Sequence, residues 1–400
     1  MGAIPIEEPR PPGQRSARVV LLASGFRPFF LLASWGAALA MPVWLASWLG
    51  ALDFDPPAGI VLWHGHEMVY GVAAAGMAGF ILTAVPNWTG TRSLSGPRLG
   101  LLVALWVAGR AAMAGLIPPP YGAPIDVAFL PVLAIAVGPA ILHGSRARNG
   151  VFVLLLLVLC AGNGAFHANV AWFGASEALR AAIGMFALII ALVGGRIVPA
   201  FTQSGVRAAG RTVAIGPAPY LDRVAIIVLL AAVLADSGGI AATPCAILAG
   251  AAALLHGVRL FRWKGWRAID LPLVWMLHAG YAWIVIGAAL LAAKHLGVAH
   301  PSAALHAWGA GAVGTMLIAV MSRASLGHGG RDLVADATTV AAGTLVIVGA
   351  TLRVVGALVD SSVHHLLLTA GGIAWCAGYL TFAVRYVPIW LRPRVDGKPG

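Results

Sequence analysis

Residues 150–172 read GVFVLLLLVLCAGNGAFHANVAW, and this stretch contains no Asp, Glu, Lys or Arg. A helix needs about 20 mainly apolar residues to cross the hydrocarbon core of a bilayer. The stretch therefore predicts a membrane-spanning helix.

Apolar runs of this kind recur throughout the 400 residues, of which 60% are hydrophobic and only 10% are charged. They cover residues 29–49, 62–86, 98–117, 125–143, 150–172, 177–201, 218–236, 241–258, 271–293, 302–322, 335–358 and 364–390. This composition excludes a soluble enzyme, a disordered chain and a DNA-binding module. It predicts an all-α polytopic membrane protein with about twelve transmembrane helices.

The short connections between the runs predict a single domain. We expect residues 25–391 to form it, with residues 1–24 as a disordered or interfacial N-terminus and residues 392–400 as a tail. The first 18 residues lack a short apolar stretch followed by a small-residue cleavage site, so no removed signal peptide is expected.

The basic residues predict the orientation of the chain. With a cytoplasmic N-terminus, most of the 26 Lys and Arg residues fall in cytoplasmic loops or flanks. Cytoplasmic loops of membrane proteins carry such an excess. Both termini are therefore predicted to be cytoplasmic, and the net charge of +12 is assigned to membrane orientation rather than to nucleic acid binding.

The chain has twelve histidines, which are the most numerous candidate metal ligands, whereas its three cysteines form no Cys-x-x-Cys pair. The cysteine spacing disfavours a thiolate metal site and covalent haem attachment. The predicted orientation places six histidines near the outer face: His64, His66, His167, His306, His364 and His365. Neutral imidazole commonly binds haem iron and copper. Each histidine could instead be interfacial or bridge two helices, and the interfacial role is favoured for the last two.

His64, His66 and Glu67 form the strongest local group. On a regular helix the two histidines point about 200° apart, so they serve different sites or the helix is interrupted at Gly65. Glu67 lies within about 60° of His64 and is interpreted as the one carboxylate clearly inside a span. It is predicted to orient a ligand histidine or to carry a proton. The alternative is a carboxylate that stabilises a helix N-terminus.

Three other features of the spans suggest alternatives. The face of His306 holds small residues that leave room for a flat macrocycle or a second helix: Gly309, Ala310, Val313, Gly314 and Leu317. His167 shares a face with Asn163 and Cys160, and such a polar stripe is typical of a cavity or a helix contact. The predicted alternatives for His167 are a copper ligand and a hydrogen bond that bridges two helices. Arg196 either reaches the interface or pairs with a haem propionate.

Several motifs resemble those of the NnrS family. Residues 25–30 (GFRPFF), 63–68 (WHGHEM) and 84–90 (AVPNWTG) resemble its N-terminal motifs. The later motifs of the family are similar to Gly195-Arg196 with Pro199, Phe201 and Thr202, and then to 306–311, Gly314, Met316, Met321, 323–328 and Arg331. Gly65 and Gly329 depart from the family pattern, which often has Ala and Thr there.

The resemblance implies a twelve-span protein of the bacterial inner membrane that contains non-covalent haem and copper and acts in nitric oxide metabolism and tolerance. It is similar in outline to haem–copper oxidase subunits, whose second and tenth spans hold haem near the outer face. Those subunits place copper ligands on the sixth and seventh spans, where this sequence has no histidine. Copper is therefore expected on His167, on His278, which lies deeper, or on the second residue of the His64/His66 pair.

The leading hypothesis is a protein that binds or reduces nitric oxide at a histidine-ligated site near the periplasmic face. Haem iron would be held by His306 with His64 or His66, and Glu67 would support the site. A reductase would draw two electrons and protons from a donor such as quinol, and the sequence shows no docking site for one. The alternative is a metal or small-molecule transporter with a histidine-lined passage, and a third hypothesis is a non-catalytic sensor or scaffold.

Overall fold

Long helices account for almost all of the structure. The computed structural model describes residues 20–143, 149–169, 173–359 and 363–398, and these residues contain no β-strand. The long helices are α1 Phe26–Trp48, α2 Ile60–Thr89, α3 Pro97–Met113, α4 Pro119–His143, α5 Gly150–Ala168, α6 Ala175–Ala208, α7 Pro219–Ser237, α8 Ala242–Arg262, α9 Pro272–His295, α10 Pro301–His328, α11 Ala337–Gly356 and α12 Val363–Leu391.

Within the described residues, 10 of these helices are long and apolar enough to cross a membrane. The other two are α3, which has only 17 residues, and α7, whose 19 residues include Asp222, Arg223 and Asp236. Each predicted apolar run overlaps one helix. The predicted all-α membrane fold is therefore confirmed, whereas the count of twelve spans stays a prediction.

The ends of the chain are only partly described. Residues 1–19 of the predicted N-terminal segment and residues 399–400 of the predicted tail lie outside the described residues. Val20–Leu22 form a single 3-10 turn that leads into α1. The predicted domain boundaries remain predictions.

The start of α1 and the end of α12 are joined by Arg27. Its fully buried guanidinium donates from Nη1 to the carbonyl oxygens of Ile389, Trp390 and Arg392 at 3.2, 2.9 and 2.7 Å. These carbonyls belong to the C-terminal end of a helix, where backbone acceptors lack partners within the helix. The first and last helices therefore meet at the same end of the bundle, as an even number of spans requires.

Two helices, α2 and α10, share an unusual backbone. Each begins as an α-helix, widens into a π-helix over Glu67–Ala73 or Ala307–Val313, and then returns to α-helix. The wide segments begin immediately after His66 and His306. Because π-helical turns are rare and occur frequently at functional sites, they direct attention to these two histidine-bearing helices.

Glycine allows α11 and α12 to pack backbone against backbone. A Cβ atom at Gly378 would lie 2.8 Å from the carbonyl oxygen of Ala342 and 3.0 Å from the amide nitrogen of Val346. A Cβ atom at Gly349 would lie 2.5 Å from the amide nitrogen of Trp375. Small residues at helix contacts permit this close approach in membranes.

We expect Gly378→Ala to lower the free energy of unfolding by about 1–3 kcal/mol, because the added methyl group meets backbone atoms that cannot rotate away. Thermal unfolding in detergent measures the effect. The matched control is Gly138→Ala in α4, where a Cβ atom would have no neighbour within 4 Å. Equal stability of the two variants would contradict close packing of α11 and α12.

Candidate functional site

A cavity of about 340 Å³ lies inside the bundle. Four of its polar lining residues come from the first or last two turns of different helices: His64 of α2, Arg180 of α6, His306 of α10 and Arg353 of α11. Most of the remaining lining is apolar or glycine. The cavity thus has the character of a ligand site, a mainly apolar space with a few placed polar groups.

His306 presents one free coordinating nitrogen. Its Nδ1 lies 2.8 Å from the carbonyl oxygen of Ser302, one turn earlier in α10. Because a carbonyl oxygen can only accept, Nδ1 carries the proton and donates it. The neutral ring therefore has its lone pair on Nε2, which is the arrangement typical of a metal-binding histidine held by a backbone carbonyl.

His64 lies against Trp44 of α1, with the two ring centroids 4.4 Å apart and the planes 28° from parallel. Its Nδ1 is buried and has no hydrogen-bond partner. Of the two candidates at 64 and 66, it is His64 that lines the cavity together with His306.

The chain between the two histidines remains helical, so the first of the two predicted alternatives describes the structure. His64 lines the cavity on one face of α2, and His66, which is fully buried, lies in a separate polar cluster. Gly65 between them packs on α6, where a Cβ atom would lie 2.8 Å from Cδ1 of Leu179. The two sites therefore lie on opposite faces of the same turn of α2.

The predicted face of His306 lines the cavity. All five of its small or apolar residues do so: Gly309, Ala310, Val313, Gly314 and Leu317. The π-helical segment of α2 adds Met68, Val69, Val72 and Ala73 to the opposite wall. Both wide helical segments thus border the same space.

A smaller cavity of about 80 Å³ adjoins the first. The two share four lining residues: Ala73, Phe186, Val313 and Leu317. The other lining residues of the smaller cavity are also apolar or glycine. The two cavities together form a mainly apolar space between α2, α6 and α10.

The polar cluster on the other face of α2 is centred on Asp126 of α4. Its Oδ2 lies 3.1 Å from Nε2 of His66, 3.0 Å from Nε2 of His167 and 2.8 Å from Nδ2 of Asn163. Asn163 also accepts at 2.9 Å from Nε2 of His66. Asp126 is 3% exposed, so nearly all of this carboxylate's hydrogen bonding is made within the protein.

Arg110 of α3 supplies a positive charge to the cluster. Its guanidinium pairs with Oδ1 of Asp126 and, at 3.1 Å, with Oε1 of Glu67. Glu67 therefore faces the cluster and not the cavity, and its oxygen is 3.7 Å from Nδ1 of His66, beyond hydrogen-bond distance. No side-chain hydrogen bond from Glu67 caps the N-terminal turn of α2.

The interpretation of Glu67 as the one carboxylate inside a span is wrong, because Asp126 is buried within α4. The sequence placed Asp126 at the first positions of its apolar run, where a carboxylate is ordinary. The helix begins earlier, at Pro119. A signal was nonetheless present, since Arg110 in the preceding span required a partner of opposite charge.

Three ligand atoms converge in the cluster. Among the described residues, one group of at least three His, Cys, Asp or Glu side chains has its ligand atoms within 4.8 Å of one another: His66, Asp126 and His167. The predicted alternative ligand His278 lies elsewhere, with its Nε2 2.8 Å from Oγ1 of Thr202. His278 therefore joins neither the cluster nor the cavity.

The other singled-out residues lie outside both sites. His364 and His365 have ring centroids 5.3 Å apart, and Nδ1 of His364 donates to the carbonyl oxygen of Gly356 at 2.7 Å. Arg196 donates to Oδ1 of Asn149 at 3.3 Å and does not line the cavity. The arginines that do line it are Arg180 and Arg353.

The fold and these two groups of histidines define a polytopic all-α membrane protein with a candidate ligand cavity and a candidate metal cluster. The model of the NnrS protein family matches residues 20–394 of the chain, which is nearly its whole length. The chain therefore belongs to the NnrS family, which confirms the resemblance seen in its motifs. None of the curated proteins compared with the chain matches it.

We expect Asp126→Asn to lower the free energy of unfolding by about 3 kcal/mol, because it removes the negative charge that Arg110 and two histidines share inside the protein. Thermal unfolding in detergent measures the loss. The control is Asp270→Asn, which breaks an exposed ion pair with Arg211 and should cost less than about 1 kcal/mol. A stability of Asp126→Asn equal to that of the control would contradict the central role of this carboxylate.

Proposed function

We propose that this NnrS-family protein holds haem and copper in the membrane and binds nitric oxide at the haem. The observation that supports the proposal is that His64 of α2 and His306 of α10 line one cavity. Membership of the family, whose members are linked to nitric oxide and to haem and copper, supports the choice of ligand.

The residues of the cavity fit a haem group. His306 has its proton on Nδ1 and its lone pair on Nε2, and His64 has a buried Nδ1 without a hydrogen-bond partner. The volume of about 340 Å³ falls within the range of about 300–1,000 Å³ usual for ligand sites. When bound, haem would supply an iron that takes imidazole and diatomic ligands and exchanges one electron.

The protein's own residues orient these ligands. The Ser302 carbonyl keeps the proton of His306 on Nδ1, and the Trp44 ring restricts rotation of His64. The apolar walls admit a small uncharged molecule such as nitric oxide. The adjoining cavity of about 80 Å³ extends this apolar space.

For copper we propose the cluster of His66, Asp126 and His167. Two ligand atoms that each lie about 2.1 Å from an ion, about 90° apart, are separated by about 3.0 Å. The Nε2 atoms of the two histidines lie 3.1 and 3.0 Å from Oδ2 of Asp126. Imidazole and carboxylate ligands suit copper, which would take the place of the two Nε2 protons.

Glu67 is proposed to act through Arg110 rather than on a histidine. By accepting from Nη1 of Arg110 it helps to hold the guanidinium against Asp126. It is thus a positioning residue for the cluster.

The proposal includes the membrane topology. Twelve spans with both termini in the cytoplasm of a bacterial cell would place the cavity and the cluster near the periplasmic face. The charge distribution of the sequence supports this orientation, and the meeting of α1 with α12 at Arg27 supports an even number of spans.

We expect purified wild-type protein to show a haem Soret band that shifts when nitric oxide is added anaerobically to the reduced form. His64→Ala and His306→Ala should each lose most of the bound haem, because each removes an imidazole that would help to hold it. The control is His365→Ala, which removes an exposed histidine outside the cavity. Spectra and haem content per protein measure the result.

A Soret band that survives His306→Ala unchanged would overturn the assignment of that ligand. A colourless wild-type protein would overturn the haem proposal and favour the transporter. Consumption of nitric oxide by the protein with a reductant separates turnover from binding.

We expect His167→Ala to lose copper but to retain haem, because the cluster and the cavity lie on opposite faces of α2. Elemental analysis against haem content measures both. The control is His278→Ala, which should retain copper because His278 is hydrogen-bonded to Thr202 away from the cluster. Loss of copper in His278→Ala, with copper retained in His167→Ala, would contradict the cluster and favour His278.

A further inference from the structure

Arg353 lies in the wall of the cavity and has no counter-ion among the described residues. One hydrogen bond of its guanidinium is formed, from Nη2 to Oγ of Ser302 at 2.9 Å. Its Nε and Nη1 are buried and have no hydrogen-bond partner. Across the described ranges, no Asp or Glu side chain forms an ion pair with it.

An arginine in this state is costly. A guanidinium carries five N–H donors, and a buried charge is stable only when it is paired and hydrogen-bonded. Within a membrane, charged side chains face a partner or a functional cavity. Arg353 lines the cavity, so the missing acceptor is expected to come from what the cavity binds.

Three other arginines of the bundle form ion pairs with carboxylates. Arg110 pairs with Asp126 and Glu67, and Arg259 pairs with Asp222 at 2.8 Å. Arg180, which also lines the cavity, pairs with Glu177 at 2.9 Å. These three arginines therefore have carboxylate partners, and the buried Arg27 donates to three backbone carbonyl oxygens, whereas Arg353 has only the Ser302 hydroxyl and faces the cavity.

We propose that Arg353 binds a carboxylate of the molecule in the cavity, which under the proposed function is a propionate of haem. The free Nε–H and Nη1–H groups would donate to the carboxylate oxygens. Such charge-assisted pairs are the strong class of hydrogen bond, and the planar guanidinium matches a carboxylate in shape. This inference rests on the haem proposal and specifies which edge of the ligand the protein recognises.

The same arginine is connected to the iron ligand. Nη2 of Arg353 donates to the hydroxyl of Ser302, and the carbonyl of Ser302 accepts from Nδ1 of His306. Arg353 is therefore both an anchor for the carboxylate and a positioning residue for the His306 ring. Its loss should weaken haem binding even though His64 and His306 are both retained.

The test compares haem with its dimethyl ester, in which both propionates are uncharged. Full-length protein expressed without haem is titrated with each compound, and the Soret band reports the dissociation constants. The wild type should bind the free acid at least about tenfold more tightly than the ester. Arg353→Gln should remove most of this preference by weakening binding of the acid, and Arg353→Lys should restore part of it.

Arg196→Gln is the matched control, because Arg196 also lies in a helix but does not line the cavity. It should keep the full preference for the acid. Equal affinity of the wild type for the acid and the ester would by itself overturn the inference. An unchanged preference for the acid in Arg353→Gln would also overturn it. A wild type that binds neither compound would instead remove the haem proposal itself.

Discussion

The burial of one carboxylate, that of Asp126, constrains the arrangement of four helices. A charge removed from water must be met by donors inside the protein, and these come from His66 on α2, Arg110 on α3, and Asn163 and His167 on α5. None of these helices can rotate without leaving a polar group unpaired. The cluster therefore fixes the rotation of α2 about its axis, and with it the direction of the side chains on the opposite face.

That opposite face carries His64, so the cluster also determines the direction in which His64 enters the cavity. Gly65 lets α6 pack against the turn between the two histidines, and the π-helical segment beyond it contributes to the cavity wall. From the other side α10 repeats the arrangement, with a histidine followed by a π-helical segment. Arg353 completes the polar lining and is linked to His306 through Ser302. The polar side chains of the site therefore come from the ends of several helices, and the packing of these helices sets their relative positions.

Much of this fold follows from the sequence because the bilayer imposes a length and a polarity on each helix. Helical spacing also separated His64 from His66 and grouped the residues below His306. Other features depend on contacts between distant segments. The apolar pattern places the start of α4 at residue 125, whereas the helix begins at Pro119 and so encloses Asp126. The pairing of Asp126 with Arg110, and with it the orientation of Glu67, could not be predicted from that pattern. The π-helical segments were not foreseen because apolar periodicity reports burial and not the hydrogen-bond pattern of the backbone.

The pairing between α3 and α4 also has a consequence for how the chain enters the membrane. An Arg or Asp within an apolar helix opposes insertion by up to about 3 kcal/mol when it is alone. Arg110 and Asp126 lie on consecutive helices joined by residues 114–118, and they pair with each other. In the proposed topology of twelve spans, insertion of α3 and α4 together as a helical hairpin would avoid exposing either charge to lipid. The short helix α3, with 17 residues, would then depend on the helix synthesised after it for its place in the bilayer.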